Sequence, residues 1–326
     1  MLKRTISFIV ICIALPMLVL YAATTGSIDM SMLALMKGLF GEPNDQIAVV
    51  KDLRFPRIII ALLAGATLSV SGVLLQAVMK NPLAEPGIIG VSAGAGFFTM
   101  VMLSLFPTLF FYSPLFAFIG GMISFGLVYA FSWKSGLNPL RMILIGVAIN
   151  ALFTGLGQVL SSSGNALLSS MSMNTSTLSM KTWADVETLA IYGAIGLVLA
   201  FVFYTYCNHL GMEDRTLRSL GFNVNRARLV VSLIAVLLAS VTTAIAGMFT
   251  FVGLLIPHIG RVLVGTDHKY LIPFSALLGA FLILLADTVG RTILAPIEIP
   301  ASIVMVIIGG PFLIFVLRRS ERIHGN

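Results

Sequence analysis

Apolar blocks of about 20 residues, the length a helix needs to cross a bilayer, recur along the whole chain. Short polar, glycine- or proline-bearing stretches separate them. The pattern predicts ten membrane-spanning helices, at roughly 5–25, 57–79, 88–107, 114–132, 141–161, 189–207, 229–247, 248–264, 272–290 and 303–317. The seventh and eighth are the hardest to divide. Leu229–Val264 is one continuous apolar block, able to hold two spans or one span and a re-entrant piece. Small residues punctuate two neighbouring blocks. Gly65, Ala66, Ser71 and Gly72 lie in one, and Gly90, Ser92, Ala93, Gly94, Ala95 and Gly96 open the next. Small residues on a membrane helix let backbones approach closely, so this region is expected to press on other helices instead of lipid.

Composition agrees with the pattern. The chain is 58% hydrophobic and 10% charged, against about 25% charged in soluble domains. It reads as an all-α polytopic membrane protein, with residues 1–326 forming a single domain and no room for a soluble one. The net charge of +7 points to the positive-inside bias, not to nucleic acid, because no basic run is interleaved with aromatics. With both termini cytoplasmic, 14 of the 20 Lys and Arg fall inside. Lys37, Lys51, Arg54, Arg57, Lys181 and Arg291 fall outside. A nine-span reading would move Arg318, Arg319 and Arg322 outside and spoil the bias. The apolar run after Lys3 and Arg4 is too long for the core of a signal peptide and is expected to be a retained first span. Cys12 and Cys207 both lie in apolar segments, so no disulfide is expected.

Three connections are longer than a turn. Outer loop 26–56 carries acidic residues, and outer loop 162–188 is rich in Ser, Asn and Met, including Met171, Met173 and Met180. A thioether row there could touch a flat apolar ligand, though adaptable packing is the commoner use of Met. Inner loop 209–228 holds four arginines and a helical pattern at Leu217, Leu220 and Phe222, with Gly221 placed as a helix C-cap or hinge. It is read as a docking surface, a solvated linker being the alternative.

Enzyme chemistry is not legible. No G-x-x-x-x-G-K-[ST] phosphate loop is present, so ATP hydrolysis is not expected of this chain. No histidine or cysteine spacing suggests a metal site. His209, His258, His268 and His324 fall near inner span ends, where interfacial or loop-capping roles suffice. Pro257 is expected to break its helix at the inner interface, leaving His258 and Arg261 to face headgroups or a partner. Asp287 and Glu298 lie near outer helix ends, and Arg291 follows Asp287 by one turn, so an i,i+4 ion pair would account for both. Two acids on one side do not make a proton relay through the bilayer, which argues against a proton-coupled secondary transporter.

Nine separated motifs occur in order: Arg54-Phe-Pro-Arg57 leading to Gly65-Ala66, Ser71-Gly72 and Gln76; Asn81-Pro82-Leu-Ala-Glu85-Pro86; Gly90-Val-Ser-Ala-Gly94; Ser219-Leu220-Gly221; Phe251-Val-Gly-Leu-Leu-Ile-Pro257-His258 with Arg261; Asp267-His268; Ala286-Asp287 with Arg291; Glu298-Ile-Pro300; and Gly309-Gly-Pro311-Phe. Together they resemble the FecCD-type permeases, the iron-siderophore, heme and vitamin B12 permease family of ATP-binding-cassette importers, from about Leu53 to the C-terminus. The resemblance implies a ten-helix, vitamin B12-permease-like homodimer in the bacterial cytoplasmic membrane with its pathway between two copies. Cytoplasmic ATPase subunits carrying ATP-Mg would dock on it, and an extracytoplasmic binding lipoprotein would deliver substrate. By position, Arg54, Arg57 and Arg291 would meet acidic groups of the binding protein. Leu217, Ser219, Leu220 and Gly221 would couple to the ATPase.

Two departures stand out. The chain reads Leu178-Ser-Met180-Lys-Thr-Trp183 and Glu298-Ile-Pro300-Ala301-Ser302, where the family often has a Trp-x-x-Gly-Ser-Leu pattern and Glu-x-Pro-Val-Gly. Both are similar to heme permeases of Gram-positive iron-surface-determinant systems. Heme is therefore the first expected substrate, with a ferric siderophore or a corrinoid as alternatives.

Overall fold

Apart from Arg57 and Gln76, the helix α2, Phe55–Met79, is apolar or small on every side, and its many small residues suit it to packing against other helices. In the computed structural model of the protein it forms the axis of the bundle. The structure describes residues 2–25, 50–132, 139–162, 178–295 and 297–324, and every regular element among them is helical. The other helices are α1 (Leu2–Thr24), α3 (Val91–Leu105), α4 (Ser113–Ser132), α5 (Pro139–Ser161), α6 (Trp183–Val202), α7 (Tyr204–Leu210), α8 (Asp214–Ser219), α9 (Val224–Ala246), α10 (Val252–Val264), α11 (His268–Thr292) and α12 (Ala301–His324). Packed against α2 are α11, α9, α10 and α6. The trio α3, α4 and α5 forms a second group, joined to the first through α9.

Glycines set how close the axis comes to its neighbours. A Cβ at Gly65 would lie 2.0 Å from the Gly279 carbonyl oxygen of α11, and one at Gly72 2.1 Å from the Gly253 oxygen of α10. The expected close approach of small residues is thus realised at backbone contact. Hydroxyls stitch α2 to α9: Thr67 and Thr242 share a 2.6 Å hydrogen bond, and Ser71 donates to the Ala235 carbonyl at 2.7 Å.

Among the described residues, seven helices are long and apolar enough to cross a membrane. The helices α3 and α10, of 15 and 13 residues, span only ~20–22 Å at 1.5 Å per residue. The reason is that each starts inside the bundle. Gly90, just before α3, packs beside Gly146 and Asn150 of α5 and Ser124 of α4. The start of α10 lies beside Leu68 and Gly72, partway along α2. Residues 81–90 and 247–251 therefore run as unwound chain within the bundle. The ambiguous block Leu229–Val264 is divided there, into a long helix and a half-length one.

Pro257 does not break α10 as expected; it lies inside it. A proline removes the donor for the carbonyl four residues earlier, here that of Gly253. Gln76 of α2 supplies the missing donor from its side-chain amide at 3.0 Å. The helix continues because a neighbouring side chain replaces the lost bond, as membrane helices with proline require. Cys12 and Cys207 are both free thiols.

Candidate functional site

Three parts of the bundle bring polar groups together. The first is at the end where α2 begins. Arg57 reaches across to α11 and grips Asp287 with two nitrogens, Nε at 3.1 and 3.0 Å from the two carboxylate oxygens and Nη2 at 2.8 Å. Its Nη1 donates to Glu298 at 2.8 Å. Arg291, one turn along α11, brings Nε to 3.3 Å from Asp287, so the i,i+4 pair forms. Arg291 also donates to the carbonyls of Thr25 and Ala22, and Arg54 donates to that of Ala23 at 3.1 Å. These guanidinium groups thus cap the last carbonyls of α1, where a helix end favours positive charge.

The structure therefore brings Arg54, Arg57, Arg291, Asp287 and Glu298 into one cluster of three cations and two anions. The arginines, expected to lie open to a partner, are each buried at 7–8% exposure within the protomer. Sequence reading missed the burial of Arg57 because its internal partner lies far along the chain: Asp287 is 230 residues away. Glu298 stays 45% exposed.

The second part is at the opposite end of α2. The short helix α8 holds Leu217 and Ser219 of the expected coupling residues, and Leu220 and Gly221 follow it. Gly221 follows it at φ +77°, with Gly221 N–H bonded to Arg218 O and Phe222 N–H to Leu217 O. This bond pair is a Schellman cap, the role read for Gly221 in the sequence. Leu217 is not presented outward: it is 2% exposed and anchors α8 to the bundle, while Leu220 is 72% exposed. Asp214, at the start of α8, ties the helix to two others. It accepts from Lys80 at the end of α2 at 2.8 Å and from Arg228 of α9 at 3.0 Å. Partial burial pushes the Asp214 carboxyl up, but Lys80 and Arg228 outweigh it and hold the group below the usual carboxylate range. Beside α8, Asn208 of α7 donates to Asp267 and accepts the His268 backbone N–H, fixing the start of α11. The Asn208 bond, with that from the Lys269 backbone, keeps Asp267 low as well.

The third part lies between these ends. Glu85, 1% exposed, accepts the Phe251 backbone N–H at 3.1 Å, so segment 81–90 caps the start of α10. Phe251 has φ +70° and packs against Gly309 of α12. Arg261 of α10 bonds Gln76, which in turn holds the Gly253 carbonyl, so Arg261, Gln76 and the proline-freed carbonyl form one chain. Arg261 is thereby drawn toward the bundle instead of headgroups. His258 meets Phe312 edge-on across to α12. Asn81 and Pro86 are buried, Pro82 is exposed, and Pro300 precedes the first turn of α12, accepting from Ile303 N–H at 2.9 Å.

Met171 and Met173 lie outside the described residues, and Met180 is 88% exposed. Among the described residues, Met248 is a methionine that does line a cavity. It lies with Thr250 on the unwound segment, opposite Ser302, Ile303 and Val306 of α12, around about 200 Å³. Nothing in the sequence marked it, because an apolar stretch hides an unwound turn as easily as a helix. No cluster of metal-binding side chains occurs among the described residues.

Comparison with known proteins gives the same architecture. The model of the FecCD transport family matches residues 12–319. The chain is 41% identical over 320 residues, 98% of each sequence, to the "Probable heme-iron transport system permease protein IsdF" of Staphylococcus aureus strain RF122, with the same identity to that of strain Newman. A solved ABC transporter assigned to the metal-chelate type, in an inward-facing conformation, superposes with a TM-score of 0.80 at 27% identity, covering 97% of this chain and 99% of the other. PsaBC from Streptococcus pneumoniae, solved in complex with Fab, shares the fold, with a TM-score of 0.62 at 17% identity over 87% of this chain and 95% of that one.

Proposed function

Because this chain belongs to the FecCD transport family, we propose that it is the permease subunit of an ATP-binding-cassette importer whose cargo is heme. The near full-length identity to a heme-iron permease carries the choice of cargo. The permease works as a pair of identical copies in the bacterial cytoplasmic membrane, with both termini inside. The exposed aliphatic side of α5, with Leu144, Val147 and Leu152, and that of α12, with Ile307 and Ile314, supply the apolar surface for a second copy and for lipid.

ATP is hydrolysed by separate subunits docked under residues 209–228. Leu220 and the Gly221 turn enter the partner, while Leu217 and Asp214 hold α8 to the bundle. Movement of α8 then passes through Lys80 into α2 and through Arg228 into α9. At the other end, Arg54, Arg57 and Arg291 receive the carboxylates of a substrate-binding protein. Glu298, half in solvent, is the internal anion that such a carboxylate displaces from Arg57.

The test is reconstitution in vesicles with the cognate ATPase and binding protein, the latter loaded in turn with heme, a ferric siderophore and a corrinoid. ATP-dependent uptake confined to heme is the expected result. Uptake of siderophore or corrinoid alone would keep the importer and overturn the cargo, and uptake without any ATPase would overturn the importer. Leu220→Asp should leave the permease folded and uncouple hydrolysis from uptake.

A further inference from the structure

The cavity between the unwound segment and α12 has no role in docking or coupling, yet it follows directly on the docking cluster. Glu298 bonds Arg57, the Ile299 N–H bonds the Gly290 carbonyl, and Ser302 and Ile303 in the first turn of α12 already line the cavity. The arginine cluster and this space are thus joined by one short stretch of chain, residues 298–303.

The lining is built by the backbone. Extended chain points successive side chains to opposite sides. Along 248–250 the burial alternates: Phe249 enters the core at 4% exposure, while Met248 and Thr250 stay partly exposed. Both therefore face the cavity. The segment holds this shape through two left-handed residues, Gly247 at φ +83° and Phe251 at φ +70°, and through Glu85 on the Phe251 N–H. The surface that results is a thioether, two hydroxyls and two branched aliphatics, with no ionisable group among the lining residues. A thioether packs favourably along aromatic edges. The about 200 Å³ of space is below the range of roughly 300–1,000 Å³ that encloses a whole small-molecule ligand, so it accepts one edge of a larger one.

We infer that this cavity is an entry subsite taking the apolar edge of a flat tetrapyrrole macrocycle, with Met248, Ile303 and Val306 as its contact surface. The inference rests on the heme reading above and assigns the selectivity of the pathway to one place. A ferric hydroxamate or catecholate is globular and rimmed with polar oxygens, and gains nothing from such a slot. Partial contact also suits a pathway that has to release what it binds.

The experiment measures heme uptake by the reconstituted complex carrying Ile303→Trp, Met248→Ala, or both, with co-purification of the partner subunits as the check on folding. Ile303→Trp fills the space and should lower uptake roughly tenfold, the scale set by overpacking a fitted site. Adding Met248→Ala reopens the space and should restore most of it. Full uptake by Ile303→Trp, or a loss that Met248→Ala does not relieve, overturns the subsite. If the unaltered complex imports a ferric siderophore and no heme, the cargo reading itself fails, and the two failures are thereby told apart.

Discussion

The Gln76 side-chain amide donates to the Gly253 carbonyl, the acceptor that Pro257 deprives of its helical donor. One residue thus repairs a helix to which it does not belong, and Arg261 holds that residue in place.

Replacing Gln76 by Leu leaves the Gly253 carbonyl and the Arg261 guanidinium short of a partner within the bundle. An unsatisfied buried polar group costs ~1–3 kcal/mol, more if it is charged. Gln76→Leu should lower the thermal stability of the purified protein. Pro257→Ala returns an N–H to the carbonyl, so the same change should cost less in that background. Melting curves of the four proteins in a double-mutant cycle measure the difference, and equal costs in both backgrounds would remove the repair role.

The buried pair of Arg57 and Asp287 should behave asymmetrically. Asp287→Ala leaves two guanidinium groups facing each other and should cost about 3–5 kcal/mol, whereas replacing both members by apolar residues should cost much less. Glu298 is half exposed, and losing an exposed ion pair costs at most ~1 kcal/mol. Glu298→Gln should leave stability near that of the parent and, on the proposed docking, tighten binding of the substrate-binding protein, because Arg57 Nη1 is released while Asp287 keeps its grip on the other nitrogens. Chemical denaturation and binding titrations read the two effects separately.

Glycines should divide sharply by location. Gly65→Ala or Gly72→Ala places a Cβ within 2.1 Å of a backbone oxygen, which no rotamer relieves, and should abolish folded protein. Gly126→Ala has nothing within 4 Å in the protomer and should purify normally. Size-exclusion profiles after detergent extraction decide this, and a normal profile for Gly72→Ala would contradict the packing of α2 on α10.

The anchor of α8 should depend on pH through Asp214. Its carboxyl is held low in the folded protein, so it contributes stability that is present above its ordinary value of 3.8 and is lost as pH falls through the lowered one. At neutral pH the anchor is intact. Amide exchange of residues 214–222 should therefore rise, relative to the rest of the bundle, only below about pH 4. Asp214→Asn should show the raised exchange already at neutral pH and lose that acid-dependent step.

The sequence carried most of the architecture. Each of the ten predicted spans has a helix at its position, because an apolar block in a bilayer admits little else, though among the described residues only seven helices have the length and composition to cross it. Gly221 was readable because only a left-handed cap needs a glycine just there. The fate of Pro257 was not legible, since its rescue comes from Gln76, 181 residues away in sequence, and local rules treat proline as a stop. The arginine cluster was half legible. The i,i+4 spacing gave Arg291 with Asp287, but the stronger grip of Arg57 on Asp287 is a tertiary contact. Met248 was invisible, because periodicity inside Leu229–Val264 does not mark where the chain unwinds.

The pair of hydrogen bonds from Lys80 and Arg228 to Asp214 has a mechanical meaning. The helices α2 and α9 are already fastened to each other by Thr67 with Thr242 and by Ser71 with Ala235. On the proposed coupling, a load applied at α8 therefore enters a braced strut, not a loose pair of rods, and α2 and α9 would move as one piece. Two joints that could take up the deformation are the unwound stretches 81–90 and 247–251. Glu85 and Phe251 rivet these together, so they flex as a single knuckle halfway along the load path.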